Sequence, residues 1–486
     1  MSVIAYEELL PPGSPPMPMP DVLSLLGDRA TLSGQPPFRI EAADAGALAA
    51  YRRLRHQVFV REQGLFAGTD RDDRDDDPRT VVLVARSADG GVLGGVRLGP
   101  ATDGPDLGWW YGGRLVVDGA VRRTRGVGPA LVRAACAHAE AAGALRFDAT
   151  VQVCNEPLFA RLGWDRVREV DVAGVPHTLM RWPVRRVHDL VEATKAPLGP
   201  LLDAATGPPG AFGGAGFVGD DGAPVPGSDL VAACDAIVPA MVERDPEWAG
   251  WCAVLANVND LAAMGAEPVG LLDAIGARNT AHAGRLVAGL RRAADAYGGI
   301  PLLGGHTQLG VPGSLSLTAL GRTAHPVPGG GGRVGHEVRL TADLGGGWRR
   351  GYRGRQWDST SHRRTPELRA MLGAVAAARP AAAKDVSMAG VVGTLGMLAE
   401  ASGCAAVIDV ARVPRPAGAT VGDWLTCFPG FAVLTTDDAG SDPLPAGPAT
   451  GATCGELVQG GGVGLRWPDG EITAAITTTV TGMGDA

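Results

Sequence analysis

The spacing of hydrophobic and polar positions changes several times along the chain. Between Glu41 and Val60 the spacing of Ala47, Leu48, Tyr51, Leu54, Arg55 and Val58 predicts a helix. The acidic run DRDDRDDDP, Asp70 to Pro78, then reads as a solvated loop. Two runs rich in β-branched residues, Thr80 to Arg86 and Gly91 to Leu98, flank Asp89-Gly90-Gly91 and predict a β-hairpin. RLVVDG from Arg114 is a further strand, and Gly128 to Ala142 a helix. After Trp182 the helical stretch VHDLVEATK gives way to PPGAFGGAGFVGDDGAP, whose glycines forbid regular structure, so a domain boundary is expected near Val184. Beyond it, strands such as DLVAACDAIV and SLSLTALGR alternate with helices such as GWCAVLANVNDLAAMG and RLVAGLRRAADAYGG, a mixed α/β (α+β) pattern. A second break falls at GGGWRRGYRGRQWDSTSHRR. The expected organisation is a flexible tail over 1–37 and domains over 38–184, 185–345 and 346–486.

Composition narrows the functional classes. A net charge of −8 without a basic stripe argues against nucleic acid as the main partner, because phosphate neutralisation dominates that affinity. No stretch reaches the roughly 18 apolar residues of a membrane span, and no basic n-region precedes an apolar core at the start, so a cytoplasmic protein is expected. The seven cysteines are scattered without a C-x-x-C pair, which fits reduced thiols. Only two of the 44 basic residues are lysines, Lys195 and Lys384. The arginine bias looks like a coding preference and singles out those two.

In the first half, Arg123-Thr124-Arg125-Gly126-Val127-Gly128 follows a strand and opens a helix. Glycine-flanked N–H groups at a helix N-terminus can bind a pyrophosphate, although a turn that merely starts a helix has the same form. The segment resembles the GNAT N-acetyltransferase superfamily, with its Q/R-x-x-G-x-G/A loop, over about Phe38 to Trp182. YRRLRHQVFVREQG (Tyr51 to Gly64) and NEPLFARLGW (Asn155 to Trp164) look like small bacterial members of it. The resemblance implies acetyl-CoA or another acyl-CoA as cofactor, bound by Val116, Val117, Arg123, Arg125, Gly126, Val127, Gly128, Asn155 and Phe159. Many members carry a tyrosine as the acid for the departing thiolate where this chain has Phe159. Cys154, Glu62 or a water could substitute, and Glu62 is the candidate catalytic residue; as an exposed helix-end carboxylate it has an equally plain structural reading.

In the second half, acidic elements recur in order: Asp220-Asp221, Asp235, Asn257-Val258-Asn259-Asp260 and Lys384-Asp385-Val386-Ser387. Hard oxygen ligands beside glycine loops suit Mg²⁺, which takes one or two carboxylates plus nucleotide phosphates. Taken singly, each aspartate is more often a cap or turn residue. Together with Gly304-Gly305-His306-Thr307 they closely resemble the superfamily of aminoimidazole ribonucleotide (AIR) synthetase, selenophosphate synthetase and thiamine-monophosphate kinase, from about Val187 onward. The resemblance implies a two-domain AIR synthase-like (PurM-like) fold in which Asp221, Asp235, Asp260 and Asp385 hold Mg²⁺. It further implies that Asp220, Asn257, Gly304, Gly305, Thr307 and Lys384 bind ATP, that Lys195 and His306 are catalytic candidates, and that the chain forms a homodimer through the first of the two domains. The segment Trp357-Asp358-Ser359-Thr360 is a candidate acceptor pocket.

The expectation is a bifunctional enzyme, an acyl-CoA-dependent N-acyltransferase joined to a Mg-ATP-dependent phosphoryl-transfer module, acting on small nitrogen-containing metabolites. The pairing resembles fusion proteins associated with bacterial nitrilase gene clusters. Two alternatives stand beside it: an ATP-dependent enzyme whose GNAT domain only senses acyl-CoA, and a pair of non-catalytic assembly modules.

Overall fold

The computed structural model of the chain describes residues 38–122, 126–203, 207 and 210–483. The chain folds as two compact units, one holding the residues up to Arg97 with Arg114–Ala135, the other Leu98–Gly113 and everything from Cys136 onward. No helix among the described residues is long and apolar enough to cross a membrane.

In the first unit the strand Phe38–Ala42 pairs antiparallel with Val81–Ser87, Phe38 opposite Ser87 and Ala42 opposite Leu83. The helix expected from Glu41 therefore starts later, at Ala45, where the Asp44 carboxylate accepts the Ala47 N–H at 2.7 Å and caps the first turn. It ends at Arg55 and continues as a π-helical turn, His56–Glu62. Ala47, Tyr51, Val58 and Phe59 are buried with Val84 and Val116, and the Tyr51 hydroxyl donates to the Arg114 carbonyl at 2.8 Å. Gly95 makes room for that ring, since a Cβ there would lie 2.6 Å from it.

The acidic run is not a solvated loop. Asp70 is 3% exposed; Arg55 reaches Asp70 at 2.6 Å and Asp75 at 2.5 Å, while Arg97 meets Asp72 at 2.5 Å and Asp75 at 2.8 Å. Arg114 adds a contact to Asp72 at 3.0 Å. Buried carboxylates need such partners, and the partners come from elements that the local charge pattern does not reveal.

In the second unit Trp109–Gly112 runs parallel to Arg146–Ala149. The strand Arg146–Gln152 is flanked by antiparallel Val175–Trp182, which in turn pairs with Asp165–Val172. A five-stranded sheet follows, in the order Leu302–Leu309, Glu267–Ala277, Ser314–Arg322, Leu230–Ala236, Ala223–Pro224. The C-terminal seven-stranded sheet has the order Ala382–Asp385, Ala432–Asp437, Glu337–Ala342, Thr450–Val458, Ala405–Asp409, Val463–Arg466, Ile472–Ile476. Its strand Glu337–Ala342 precedes the break in the sequence pattern at Gly345. That break is itself a small sheet, Gly347–Trp348 with Gln356–Asp358 and Phe428–Pro429.

The helix Pro246–Ala263 packs against Ser314–Arg322 and Leu230–Ala236 on one side and Ala382–Asp385 on the other. Nearly all of its residues are buried, which accounts for its lack of a polar face. Sandwiched in this way, it delivers side chains to the place where the two sheets approach.

Candidate active site

Five aspartates arrive at that place from four elements. Asp220 and Asp221 end a glycine-rich turn in which Gly219 has φ +76°. Asp235 lies in Leu230–Ala236 opposite Leu317, Asp260 faces out of the buried helix one turn after Asn257, and Asp385 ends the edge strand Ala382–Asp385 opposite Val433. Oxygens of Asp221, Asp260 and Asp385 lie within 4.8 Å of one another. The Asp385 N–H donates to Asp221 Oδ2 at 2.8 Å, and the Gly329 N–H to Asp220 Oδ2 at 2.8 Å. Asp385 Oδ1 is buried without a hydrogen-bond partner.

Such crowding is electrostatically costly. Burial, reinforced by the charges of Asp385, Asp235 and Asp221, pushes the Asp260 carboxyl well up, and it shares a hydrogen bond with Asp235. Burial and the charges of Asp221 and Asp235 raise Asp385, against the pull of Lys384 and Lys195. Asp220 is pushed up to about 6, chiefly by burial. Buried carboxylates this close are held together either by shared protons or by a cation. Oxygen donors converging from three elements, one of them buried and unpartnered, fit a hard divalent ion such as Mg²⁺.

Lys384 is sealed in beside them. Its ammonium donates to the Gly219 carbonyl at 3.0 Å and meets Asp221 Oδ1 at 2.9 Å and Asp220 Oδ1 at 3.9 Å. Burial disfavours its charge, yet Asp221 and Asp220 reverse that and raise its pKa. Lys195, half-buried at the end of the helix Arg186–Thr194, is within electrostatic reach of Asp235 and Asp385. The structure thus gathers Lys195, Asp220, Asp221, Asp235, Asn257, Asp260, Lys384 and Asp385 in one region. Asn257 is fully buried, donating to the Ala253 carbonyl at 2.9 Å with its own Oδ1 unpartnered.

The turn Gly304-Gly305-His306-Thr307 is not gathered there. It lies in the edge strand Leu302–Leu309, with two strands between it and Leu230–Ala236, or roughly 14 Å over three strand spacings. Every residue of that strand is exposed. Asp358, at the end of a strand of the small sheet, and Ser359 and Thr360 just after it are buried, and Asp358 accepts from the Ser361 hydroxyl at 2.8 Å. Sequence reasoning passed over Asn259, which lines a small cavity with Asp385, Met371, Val375 and Phe431, and Gly329, whose amide holds Asp220. Their signals were the second asparagine of Asn257-Val258-Asn259-Asp260 and the four-glycine run Gly329–Gly332.

The acyl-CoA candidates divide between the two units. In the first, Val116 is buried, the Val117 carbonyl accepts from Arg122 at 3.2 Å, and Gly126, with φ +62°, leads into the helix that starts at Val127 and Gly128. Arg123 and Arg125 lie outside the described residues. Glu62 is exposed and paired with Arg122 at 3.2 Å. In the second unit Asn155 is exposed ahead of the helix Glu156–Arg161, and Phe159 is buried edge-on against Trp164, ring centroids 5.3 Å apart.

Comparison with known proteins finds three domain matches along the chain. The acetyltransferase (GNAT) family matches residues 47–164, and the N- and C-terminal domains of AIR synthase related proteins match 219–323 and 335–436. An uncharacterized protein of Synechocystis sp. is 34% identical over 226 residues, 45% of this chain and 69% of that protein. One of Methanocaldococcus jannaschii is 30% identical over 223 residues, 43% of this chain and 68% of that protein. The crystal structure of thiamine monophosphate kinase from Aquifex aeolicus superposes with a TM-score of 0.40 at 20% identity, covering 52% of this chain and 92% of the other.

Proposed function

Because the chain belongs to the AIR synthase-related family and carries an acetyltransferase (GNAT) family domain ahead of that fold, we propose that it is a bifunctional enzyme joining Mg-ATP-dependent phosphoryl transfer to acyl-CoA-dependent N-acylation of small nitrogen-containing metabolites. The observation that carries the first half is the convergence of Asp221, Asp260 and Asp385. These three would hold Mg²⁺, with Asp235 beside them. When bound, the ion neutralises charge on the transferring phosphoryl group. Asp220, anchored on the Gly329 amide, and Lys384 fix the position of the glycine-rich turn. Lys195, less buried and near Asp235 and Asp385, is placed to meet a phosphate oxygen. The exposed edge strand with Leu302, Leu303 and Leu309 at its surface supports a second copy pairing there, since unpaired edges seek partners. Such a pairing would also give His306 and its neighbours a role.

A second reading makes the acetyltransferase half a sensor of acyl-CoA. Phe159 supports it: the ring is packed in an aromatic cluster and offers no hydroxyl, and Glu62 is tied to Arg122. Both readings place the protein in the cytoplasm.

Calorimetric titration of Mg-ATP into the protein, alone and after saturation with acetyl-CoA, tests the proposal. Binding of both cofactors is expected, and release of free CoA with an amine panel separates catalysis from sensing. A protein silent to Mg-ATP in calorimetry and in nucleotide competition would retire the phosphoryl-transfer half.

A further inference from the structure

We propose that Lys384 is a cation built into the acidic centre, its ammonium permanently holding Asp220 and Asp221 so that Asp221, Asp260 and Asp385 take a single exchangeable divalent ion. The inference rests on the reading of this centre as a Mg²⁺ site and says how many ions it takes.

Composition supplies the first argument. Of 44 basic residues only two are lysines, and elsewhere the chain answers buried carboxylates with arginine, as at Arg55, Arg97 and Arg146. Both lysines nonetheless stand by the same aspartates. A guanidinium is a planar fork suited to a carboxylate edge, whereas an ammonium is a compact point charge with three rotatable donors. One carbonyl and two carboxylate oxygens from Gly219, Asp221 and Asp220 surround one point, which is the arrangement that an ammonium satisfies.

Space supplies the second. The Lys384 side chain is 2% exposed. Gly329 closes over it: a Cβ there would come within 3.2 Å of Lys384 Cγ and 2.3 Å of Asp220 Oδ1. The Gly219 carbonyl and Asp221 Oδ1 lie 3.0 and 2.9 Å from the nitrogen, hydrogen-bonding distances rather than the approximately 2.1 Å shell of Mg²⁺, and Asp220 Oδ1, at 3.9 Å, is held by charge alone and makes no hydrogen bond. The pocket is shaped for the ammonium, and the ammonium supplies the positive charge that a second ion would otherwise bring.

The remaining donors then define where the exchangeable ion goes. Lys384 grips Asp221 Oδ1 while the main chain of its neighbour Asp385 grips Oδ2. Asp221 is thereby oriented from two sides towards Asp260 and Asp385, whose Oδ1 is buried and unpartnered.

The test counts tightly bound Mn²⁺ per nucleotide-free full-length chain by equilibrium dialysis, read by the loss of the free-ion paramagnetic resonance signal. Wild type is expected to bind one ion. Lys384→Met is expected to bind two, and its thermal midpoint to become strongly dependent on Mn²⁺. One ion in both proteins, or two in wild type, overturns the role of Lys384 while leaving the Mg-ATP reading intact. No tight ion in wild type overturns the single-ion proposal and leaves the Mg-ATP reading to the calorimetric titration. Should Lys384→Met fold only when refolded with Mn²⁺, that rescue supports the proposal; failure to fold with or without the ion leaves the wild-type count to decide, two ions being fatal to it.

Discussion

Asp75 shows how strongly one side chain depends on partners distant in sequence. Its carboxylate is 2% exposed between Arg55 and Arg97. Burial pushes its pKa up, but the Arg55 hydrogen bond and the charges of Arg97 and Arg55 win and hold it far below the usual carboxylate range. A carboxylate whose folded pKa is depressed adds stability at all pH values above its unfolded pKa near 4 and loses it as pH falls towards the folded value. Asp75→Asn should therefore cost about 3 kcal/mol at pH 7, as breaking a buried ion pair does, and progressively less between pH 4 and 2, read by denaturant melts across that range. A pH-independent cost would mean that packing, not charge, holds the loop. Asp260 behaves in the opposite way, because its ionised form is opposed by burial and three neighbouring carboxylates. Asp260→Asn should leave the metal-free thermal midpoint unchanged or raised while weakening Mg-ATP binding at least about tenfold; unchanged affinity by calorimetry would remove Asp260 from the site. The aspartates were legible in the sequence only as an ordered set together with Gly304-Gly305-His306-Thr307, since singly each reads as a cap or turn residue. The burial of Asp70 and Asp75 was not, because nothing local in DRDDRDDDP announces Arg55, Arg97 and Arg114.

At the scale of elements, the helix carrying Asn257 and Asp260 is held by its contact with Thr280–Ala296. The two backbones approach through glycine: a Cβ on Gly289 would fall 2.0 Å from the Glu247 carbonyl oxygen, and one on Gly250 2.3 Å from that of Leu286. Gly284, in the same helix as Gly289, has nothing within 4 Å of such an atom. Gly289→Ala should thus destabilise by about 2 kcal/mol through overpacking, whereas Gly284→Ala should stabilise by about 0.5 to 1 kcal/mol through helix propensity and a restricted unfolded chain. Equal effects in chemical denaturation would refute the close approach. The existence of both helices was plain from apolar spacing. The first helix was misjudged at its start, since FRIEA alternates as a strand and its partner, Val81–Ser87, lies some 40 residues away. The small sheet within residues 347–358 escaped notice because its strands are two and three residues long and the third comes from Phe428–Pro429. Periodicity needs more turns than that to register.

Across the whole chain, the acetyltransferase family match at 47–164 and the division into compact units do not coincide. The strands Arg146–Gln152 and Val175–Trp182 fall in the second unit with the C-terminal sheet, and a charge network explains why. Arg146, 2% exposed, meets Asp148 at 2.7 Å, Asp469 at 2.9 Å and Glu471 at 2.7 Å, with its guanidinium 3.9 Å from the centroid of the Trp109 ring. Arg181 bridges Asp148 and Glu471 from the neighbouring strand at 2.7 and 2.6 Å. Backbone contact reinforces the charges, the Gly422 N–H donating to the Gly143 carbonyl at 3.1 Å. No reading of local pattern could have joined Arg146 to residues more than 300 positions later. Arg146→Met should leave Asp148 buried with only Arg181 and the Trp109 indole N–H as partners and cost about 3 kcal/mol, the scale for breaking a buried ion pair. Since the network is the main polar link between those strands and the C-terminal sheet, the loss should also divide the unfolding of this unit. Scanning calorimetry of wild type is expected to give one cooperative transition for it, and that of Arg146→Met an earlier transition preceding the rest. Glu471→Gln, at a position one-third exposed, should lower the midpoint only slightly and keep the transition whole. A single shifted transition in Arg146→Met would mean that apolar packing around Trp109 and Trp467, whose rings lie 6.5 Å apart, suffices to couple the strands without the charges.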